Sequence, residues 1–486
     1  MRAFLATTIG VACTAALALP FAVPTGAAAH SGGPARPAHK TTSQPPGSTR
    51  ALPLVPLVAP LATQGTDRAP GAPAEQGLSA RQVAPFSLLG VTWNNPAAHL
   101  DATVQVRTRA SGTATWSGWQ DVQAHSDDGP DPGDRVGRGA TAPLWVGASD
   151  GVQVRVRPGA GGEPRAGSGT KPAPLPFGLR LEMVDPGDDG PADPTAPVAT
   201  PAAPAAPPSI LPAPVTPGVP VVIPAAPGTP TAPAPGTEPG TTPATTPGTT
   251  PATAPGTTPA TDAPSGLEFP ALTQEETVAA AGGVTHVGPR PRIVTRAGWG
   301  ADEKLRESGF GYTGTVKVVF VHHTATGNDY ACSGAPAVIR SIYRYHVESS
   351  GWRDIGYNFL IDKCGNIYEG RAGGVAKPVM GAHTMGFNTD SSGVAVLGTF
   401  TSASAPAASV KAVAQLAAWK LGLHGGNPTG TTHLVSGGAN LYKKGSSVKL
   451  NVISGHRDGF ATECPGAKLY GQLGGARKTA ADLQGR

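Results

Sequence analysis

The sequence predicts two folded modules of different class. Residues 290–486 are expected to form an α/β domain with a central mixed sheet flanked by helices, residues 83–186 an all-β module, and residues 187–265 a disordered Pro/Thr-rich linker between them. Three observations carry this. Residues 152–157 alternate between Val and polar side chains, the period of a half-buried strand. Apart from Lys317, residues 316–321 are an apolar, mostly β-branched run fit for a buried strand, with a helical pattern following it. The tract between the modules has neither period, and with 66 Gly and 53 Pro in 486 residues much of the chain cannot be packed core.

Taken in order, the chain opens on Met1-Arg2, an apolar run to about Val23 and Ala27-Ala28-Ala29, the layout of a secretory signal peptide over 1–29. Lipid anchoring through Cys13 is disfavoured by Gly10 three positions earlier. Residues 30–82 are rich in Pro, Ala, Gly and Ser and read as a disordered leader. In the β module, strands are expected at 102–109, 116–122 and 152–157. Trp116 and Trp119 are assigned to its core, and Gln153, Arg155 and Arg157 to a solvated face, in preference to a ligand-binding surface. The linker carries three tandem copies starting at Pro239, Pro247 and Pro255, which stiffen it into an extended spacer of about 3 Å per residue. After the signal, no apolar stretch reaches the roughly 18 residues of a membrane helix, so no membrane span is expected.

A net charge of +5 and a charged fraction of 14% decide little, and no nucleic-acid partner is expected. Without the signal, Cys332, Cys364 and Cys464 remain. An odd count in an oxidising compartment is accounted for by one disulfide and one metal-bound thiolate.

Within 290–486 a helix is expected at 335–348, with Val338, Ile342 and His346 on one face, then strands at 355–361, 367–369 and 394–399, a helix at 410–421 and a strand at 452–453. The run 316–321 ends at His322-His323, and the strand at 452–453 leads into Ser454-Gly455-His456, eight residues before Cys464. Two neutral imidazoles and a thiolate suit Zn²⁺ and leave a fourth position for water. Alternation sends His322 and His323 to opposite faces, but both faces of the strand are apolar, so periodicity leaves the choice open.

Six ordered segments carry a resemblance: Arg296-Ala-Gly-Trp-Gly-Ala, Val321-His-His-Thr-Ala, Trp352-Arg-Asp-Ile-Gly-Tyr-Asn-Phe-Leu-Ile-Asp, Ile367-Tyr-Glu-Gly-Arg, Gly381-Ala-His, and Gly455-His-Arg-Asp with Thr462-Glu-Cys-Pro-Gly. Over residues 291–470 the chain resembles peptidoglycan recognition proteins and the related type 2 N-acetylmuramoyl-L-alanine amidases. The resemblance implies a secreted, cell-wall-associated zinc hydrolase that cuts the lactyl amide between MurNAc and L-Ala. It places the zinc ligands on His322, His456 and Cys464, and the catalytic hydroxyls on Tyr357 and on Thr462, which stands where some phage relatives have lysine. Muramyl-peptide contacts fall on His346, Trp352, His383 and Asn388. The pair Gly351-Trp352 goes with diaminopimelate-type stem peptides. Peptidoglycan is the implied partner, with anionic wall polymers as a weak second through the positive charge. Cys332 and Cys364, one before the helix and one in a turn, are the expected disulfide, which leaves Cys464 for metal. The alternative is a non-catalytic peptidoglycan-binding protein; such members usually lack the cysteine, which is present here.

Overall fold

A computed structural model describes residues 47–57, 75–124, 128–131, 137–159, 174–187 and 266–486. The expected signal peptide and residues 188–265 of the expected linker lie outside them.

The N-terminal domain is one antiparallel sheet built from β1 (Ser48–Pro53), β2 (Val55–Pro56), β3 (Gln76–Trp93), β4 (Ala102–Ala110), β5 (Gln120–Val122), β6 (Gly139–Ala140), β7 (Leu144–Pro158) and β8 (Arg180–Asp185). The strand order is β1-β8-β3-β7-β4-β5, with β2 and β6 pairing β3. Register shifts along the long β3–β7 pair bend the sheet around Val104, Val106, Val152, Val154 and Val156, the inward side of the alternating pattern. Two expectations are corrected here. Part of the leader is folded: β1, β2 and the start of β3 lie within residues 30–82, because pairing with β8 and β7 satisfies a backbone whose own side chains bury little. Trp116 and Trp119 are half-buried on the outer side of the sheet, not in its core. Arg107 lies 5.4 Å from each ring centroid and Arg155 3.9 Å from that of Trp119, so cation–π stacking covers rings the sheet does not bury.

The C-terminal domain runs through β9 (Glu268–Phe269), α1 (Gln274–Ala280), β10 (Ile293–Val294), β11 (Val318–His323), α2 (Ala335–Arg344), β12 (Phe359–Ile361), β13 (Ile367–Glu369), β14 (Ser391–Val396), α3 (Ala407–Gly422), β15 (Thr431–Val435), β16 (Ser447–Asn451), β17 (Ile453–Gly455) and α4 (Ala467–Leu483). Its sheet has the order β17-β11-β14-β12-β13-β10-β9 and is mixed, since β12–β13 and β9–β10 are antiparallel and the rest parallel. Helices α3 and α4 pack on one face through Val319 and Val321, and α2 packs on the other through Ile339 and Ile342. The domain begins earlier than the expected residue 290: Phe269 and Val287 are buried in its core, and Thr273 and Glu276 form a capping box that starts α1.

The helix expected over 335–348 is α-helical only to Arg344 and then widens into a π-turn, Tyr345–Ser349, that carries His346. A disulfide joins Cys332, at the foot of α2, to Cys364 in the β12–β13 turn, across a separation of 32 residues. Replacing both cysteines by Ser is expected to lower stability by about 3–4 kcal/mol through the freed unfolded chain, read as an earlier denaturant midpoint.

The two domains share a core. Leu88, Ala140 and Val184 of the β domain pack with Val338, Ile342 and Tyr345. Gly90 makes room for this contact, since a Cβ there would stand 2.3 Å from the Tyr345 hydroxyl oxygen. Tyr345 donates to the Thr141 carbonyl (3.1 Å), Trp145 N–H to the Thr326 carbonyl (3.0 Å), and Arg340 to the Pro186 carbonyl (3.1 Å).

Candidate metal centre

Parallel pairing of β11 with β14 on one side and β17 on the other brings the C-terminal ends of these strands together, where α/β sheets collect their sites. His322 is the second-to-last residue of β11, and His456 follows β17 directly in a short 3-10 turn. Cys464 is carried in by the loop after that turn, with Arg457 N–H bonded to its carbonyl (3.0 Å). One ligand atom from each of His322, His456 and Cys464 lies within 4.8 Å of the others, and all three residues are buried. His322 Nδ1 is 3.7 Å from Cys464 Sγ. Donors about 2.0–2.3 Å from a tetrahedral metal stand about 3.3–3.6 Å apart, so this spacing fits one ion. Both ring nitrogens of His456 are buried without a hydrogen-bond partner among the described residues, the state that ligation would relieve.

His323 points to the opposite face, where its Nδ1 accepts from Phe400 N–H (3.2 Å) and its ring lies against Phe400. Its backbone N–H instead points at the site and donates to Cys464 Sγ (3.4 Å), a contact that favours a thiolate. Burial pushes the His322 imidazole down to about 3 and holds His456 well below its ordinary value, so both rings are neutral, the ligating form.

The remaining expected residues divide into two groups. Tyr357, buried on the loop before β12, sets its ring 5.5 Å from that of His322. Burial first and then the neighbouring Asp128 carboxyl raise its hydroxyl far above the usual range, so it stays a donor. Thr462 lines the same space, its hydroxyl oxygen accepting from Cys464 N–H (3.1 Å). His346, held neutral by burial with a value of about 3, stacks on Trp352 (centroids 4.3 Å apart) and accepts from Gly356 N–H (3.1 Å). Gly351, at φ +77°, makes the turn between them.

His383 and Asn388 belong to the second group. His383 is fully buried beneath His322 rather than on a groove wall, with Nδ1 3.2 Å from His322 Nε2. Thr384 Oγ1 lies 3.3 Å from the same nitrogen. These two fix the ring that presents Nδ1 to the site. Asn388 accepts from the backbone N–H groups of His383 (2.8 Å) and Thr384 (3.0 Å), which holds that loop in place. His383→Ala is expected to weaken metal affinity about 10–100-fold with the three ligands intact, measured by competition with a chelator.

The residue that sequence reasoning missed is Asp128, from the β domain. Its Oδ1 lies 2.9 Å from His322 Nδ1 and 3.4 Å from His456 Nδ1, and its Oδ2 accepts from Tyr357 (2.7 Å). Burial pushes its carboxyl up to about 6, against the pull of His456 and the Tyr357 hydrogen bond. The Asp- and Gly-rich stretch 127–134 signals a turn and nothing more.

Residues 312–467 match the family described as N-acetylmuramoyl-L-alanine amidase. Peptidoglycan-recognition protein SC2 of Drosophila simulans is 30% identical over 183 residues, 37% of this chain and 84% of that protein. The chain belongs to the peptidoglycan recognition protein and type 2 amidase family. A human member, N-acetylmuramoyl-L-alanine amidase, is 29% identical over 224 residues, 43% of this chain and 33% of that one. Among solved structures, wild-type Drosophila PGRP-LB is 28% identical, covering 37% of this chain and 92% of its own, with a TM-score of 0.30. Residues 37–176 match a second family, described as "Rv3811 N-terminal galactose-binding domain-like", so this family member joins its amidase-type domain to a β domain. Among the described residues no helix is long and apolar enough to cross a membrane.

Proposed function

We propose that the chain is a secreted, zinc-dependent N-acetylmuramoyl-L-alanine amidase that hydrolyses the lactyl amide between MurNAc and L-Ala of peptidoglycan. One observation carries the reading: His322, His456 and Cys464 converge on a single point, beside two hydroxyls that can serve an oxyanion. Bound there, Zn²⁺ supplies a polarised carbonyl and a water of lowered pKa. The chain's own groups do the rest. His383 and Thr384 hold His322 in its ligating orientation, and the His323 N–H donates to the Cys464 sulfur. Tyr357 and Thr462 donate to the oxygen on which charge develops as the amide carbon becomes tetrahedral. Tyr357→Phe removes one such donor and is expected to lower kcat about 10²–10³-fold. Trp352, stacked on His346 after the Gly351 turn, is proposed to favour diaminopimelate-type stems; equal rates on lysine-type muropeptides would remove that specificity.

The test incubates the zinc-loaded full chain, and its Asp128→Ala variant, with peptidoglycan in the presence and absence of a chelator. Chelator-sensitive release of stem peptides with a free L-Ala amine is expected by mass spectrometry. No release from either chain, with zinc bound and peptidoglycan retained, would leave the non-catalytic binding reading in its place.

A further inference from the structure

The β domain does more than sit beside the metal centre. Residues 128–131 lie across it: Asp128 reaches His322, His456 and Tyr357, Asn388 donates to the Gly129 carbonyl (3.0 Å), and Asp131 accepts from Asn388 (2.7 Å) and from Gly386 N–H (2.7 Å). Nearby, Arg138 N–H donates to the Ser350 carbonyl (3.0 Å), next to Gly351 and Trp352. The space left among Asp128, Tyr357, His456 and Cys464 is about 10 Å³, room for about one water and not for a muropeptide.

We infer that Asp128 is the fourth ligand of the metal held by His322, His456 and Cys464, and that residues 128–131 thereby keep the native chain latent until they are displaced. This rests on the metal reading above. The distances support it: Asp128 Oδ1 stands at 2.9 and 3.4 Å from the two imidazole Nδ1 atoms, close to the edge of about 3.3 Å between N and O donors on one tetrahedral ion. Asp128 Oδ1 is buried and makes no hydrogen bond among the described residues, so this oxygen is directed at the ligand cluster while Oδ2 is occupied by Tyr357. A fourth protein ligand turns a catalytic arrangement, which keeps one position for water, into a closed one of the structural kind. The same segment accepts hydrogen bonds from the Tyr357 hydroxyl and the Asn388 amide. Because the domains share an apolar core, the segment is held at high effective concentration beside the site.

The test uses the full chain loaded with Co²⁺ in place of zinc, as native protein and as Asp128→Ala, Asp128→Asn and Asp131→Ala. Azide, a small anion that needs a vacant coordination position, is expected to shift the visible bands of Asp128→Ala and Asp128→Asn and to leave the native spectrum unchanged. With zinc, release of stem peptides is expected to rise about tenfold or more in Asp128→Ala, since every molecule, not only an open fraction, then presents the site. Asp131→Ala, which loosens the segment without touching the metal, is expected to be activated to a lesser degree. Azide binding equally to the native chain overturns the fourth-ligand assignment. Loss of activity in both Asp128 variants relative to an active native chain also overturns it, and makes Asp128 a proton-transferring group. Azide binding confined to the Asp128 variants with no release from any chain upholds the ligand and counts against the amidase reading instead.

Discussion

His322→Ala is expected to lose its bound zinc and all measurable amidase turnover, while His323→Ala retains its metal. The two histidines are adjacent, yet β11 sends them to opposite faces of the sheet. His322 Nδ1 faces Cys464 Sγ at 3.7 Å, whereas His323 Nδ1 is engaged by Phe400 N–H. Removing His322 takes away a direct ligand, which costs far more than the 10–100-fold in affinity lost with an outer-shell partner. His323→Ala leaves the Phe400 N–H buried without its acceptor, a stability cost of about 1–3 kcal/mol that spares the metal. Metal content after dialysis is the decisive measurement. A His322→Ala protein that keeps full zinc assigns the ligand to His323 and reverses the choice.

The second large effect concerns stability. Arg296, in the Arg-Ala-Gly-Trp-Gly segment, has a side chain only 7% exposed; it bonds Asp354 at 3.1 Å and Glu303 at 2.6 Å and lies against the rings of Trp299 and Tyr343. Asp354 is itself 8% exposed in its side chain and accepts from Ile355 N–H and Ala372 N–H, so it anchors the loop that leads to Tyr357. Arg296→Ala strands that carboxylate in the interior and is expected to cost about 3–5 kcal/mol, the usual range for breaking a buried pair from one side. Replacing the exposed Arg353, paired with Glu307 at the surface, is expected to change stability by less than about 1 kcal/mol in the same urea titration. Equal shifts for the two variants would show that Arg296 acts through surface charge alone.

How much of this was legible depends on where each residue draws its stability. The Val/polar alternation at residues 152–157 and the apolar run ending at His322 were readable because their burial is periodic. β1 was not: Ser48–Pro53 has no buried residue of its own, and its order comes from the ladder to β8, more than a hundred residues on. Trp116 and Trp119 misled because a large aromatic ring reads as core, while here arginines across the sheet cover it. At the centre, residue chemistry supplied His322, His456 and Cys464 as a plausible set, and the resemblance chose between the two histidines. The physical reason for that choice, the one face of β11 that opens toward the loop of His456 and Cys464, is a property of strand packing and invisible in one strand's sequence. Asp128 lay beyond reach for the same reason in stronger form: its partner Tyr357 is 229 positions away, in another domain.

The burial of Cys464 has a consequence for oxidative chemistry. A thiolate is the reactive form of cysteine toward oxidants and disulfides, and what limits it in a folded protein is access. Cys464 is 4% exposed, beneath the segment that carries Asp128, whereas Cys332 and Cys364 sit near the surface and within reach of each other. In the oxidising compartment proposed for this protein, three thiols are thereby sorted: two form the bridge, and the third is withheld from disulfide exchange and from oxidation to sulfenic acid. On the proposed reading, the segment that covers the site would also keep the Cys464 sulfur chemically intact in a protein stored outside the cell.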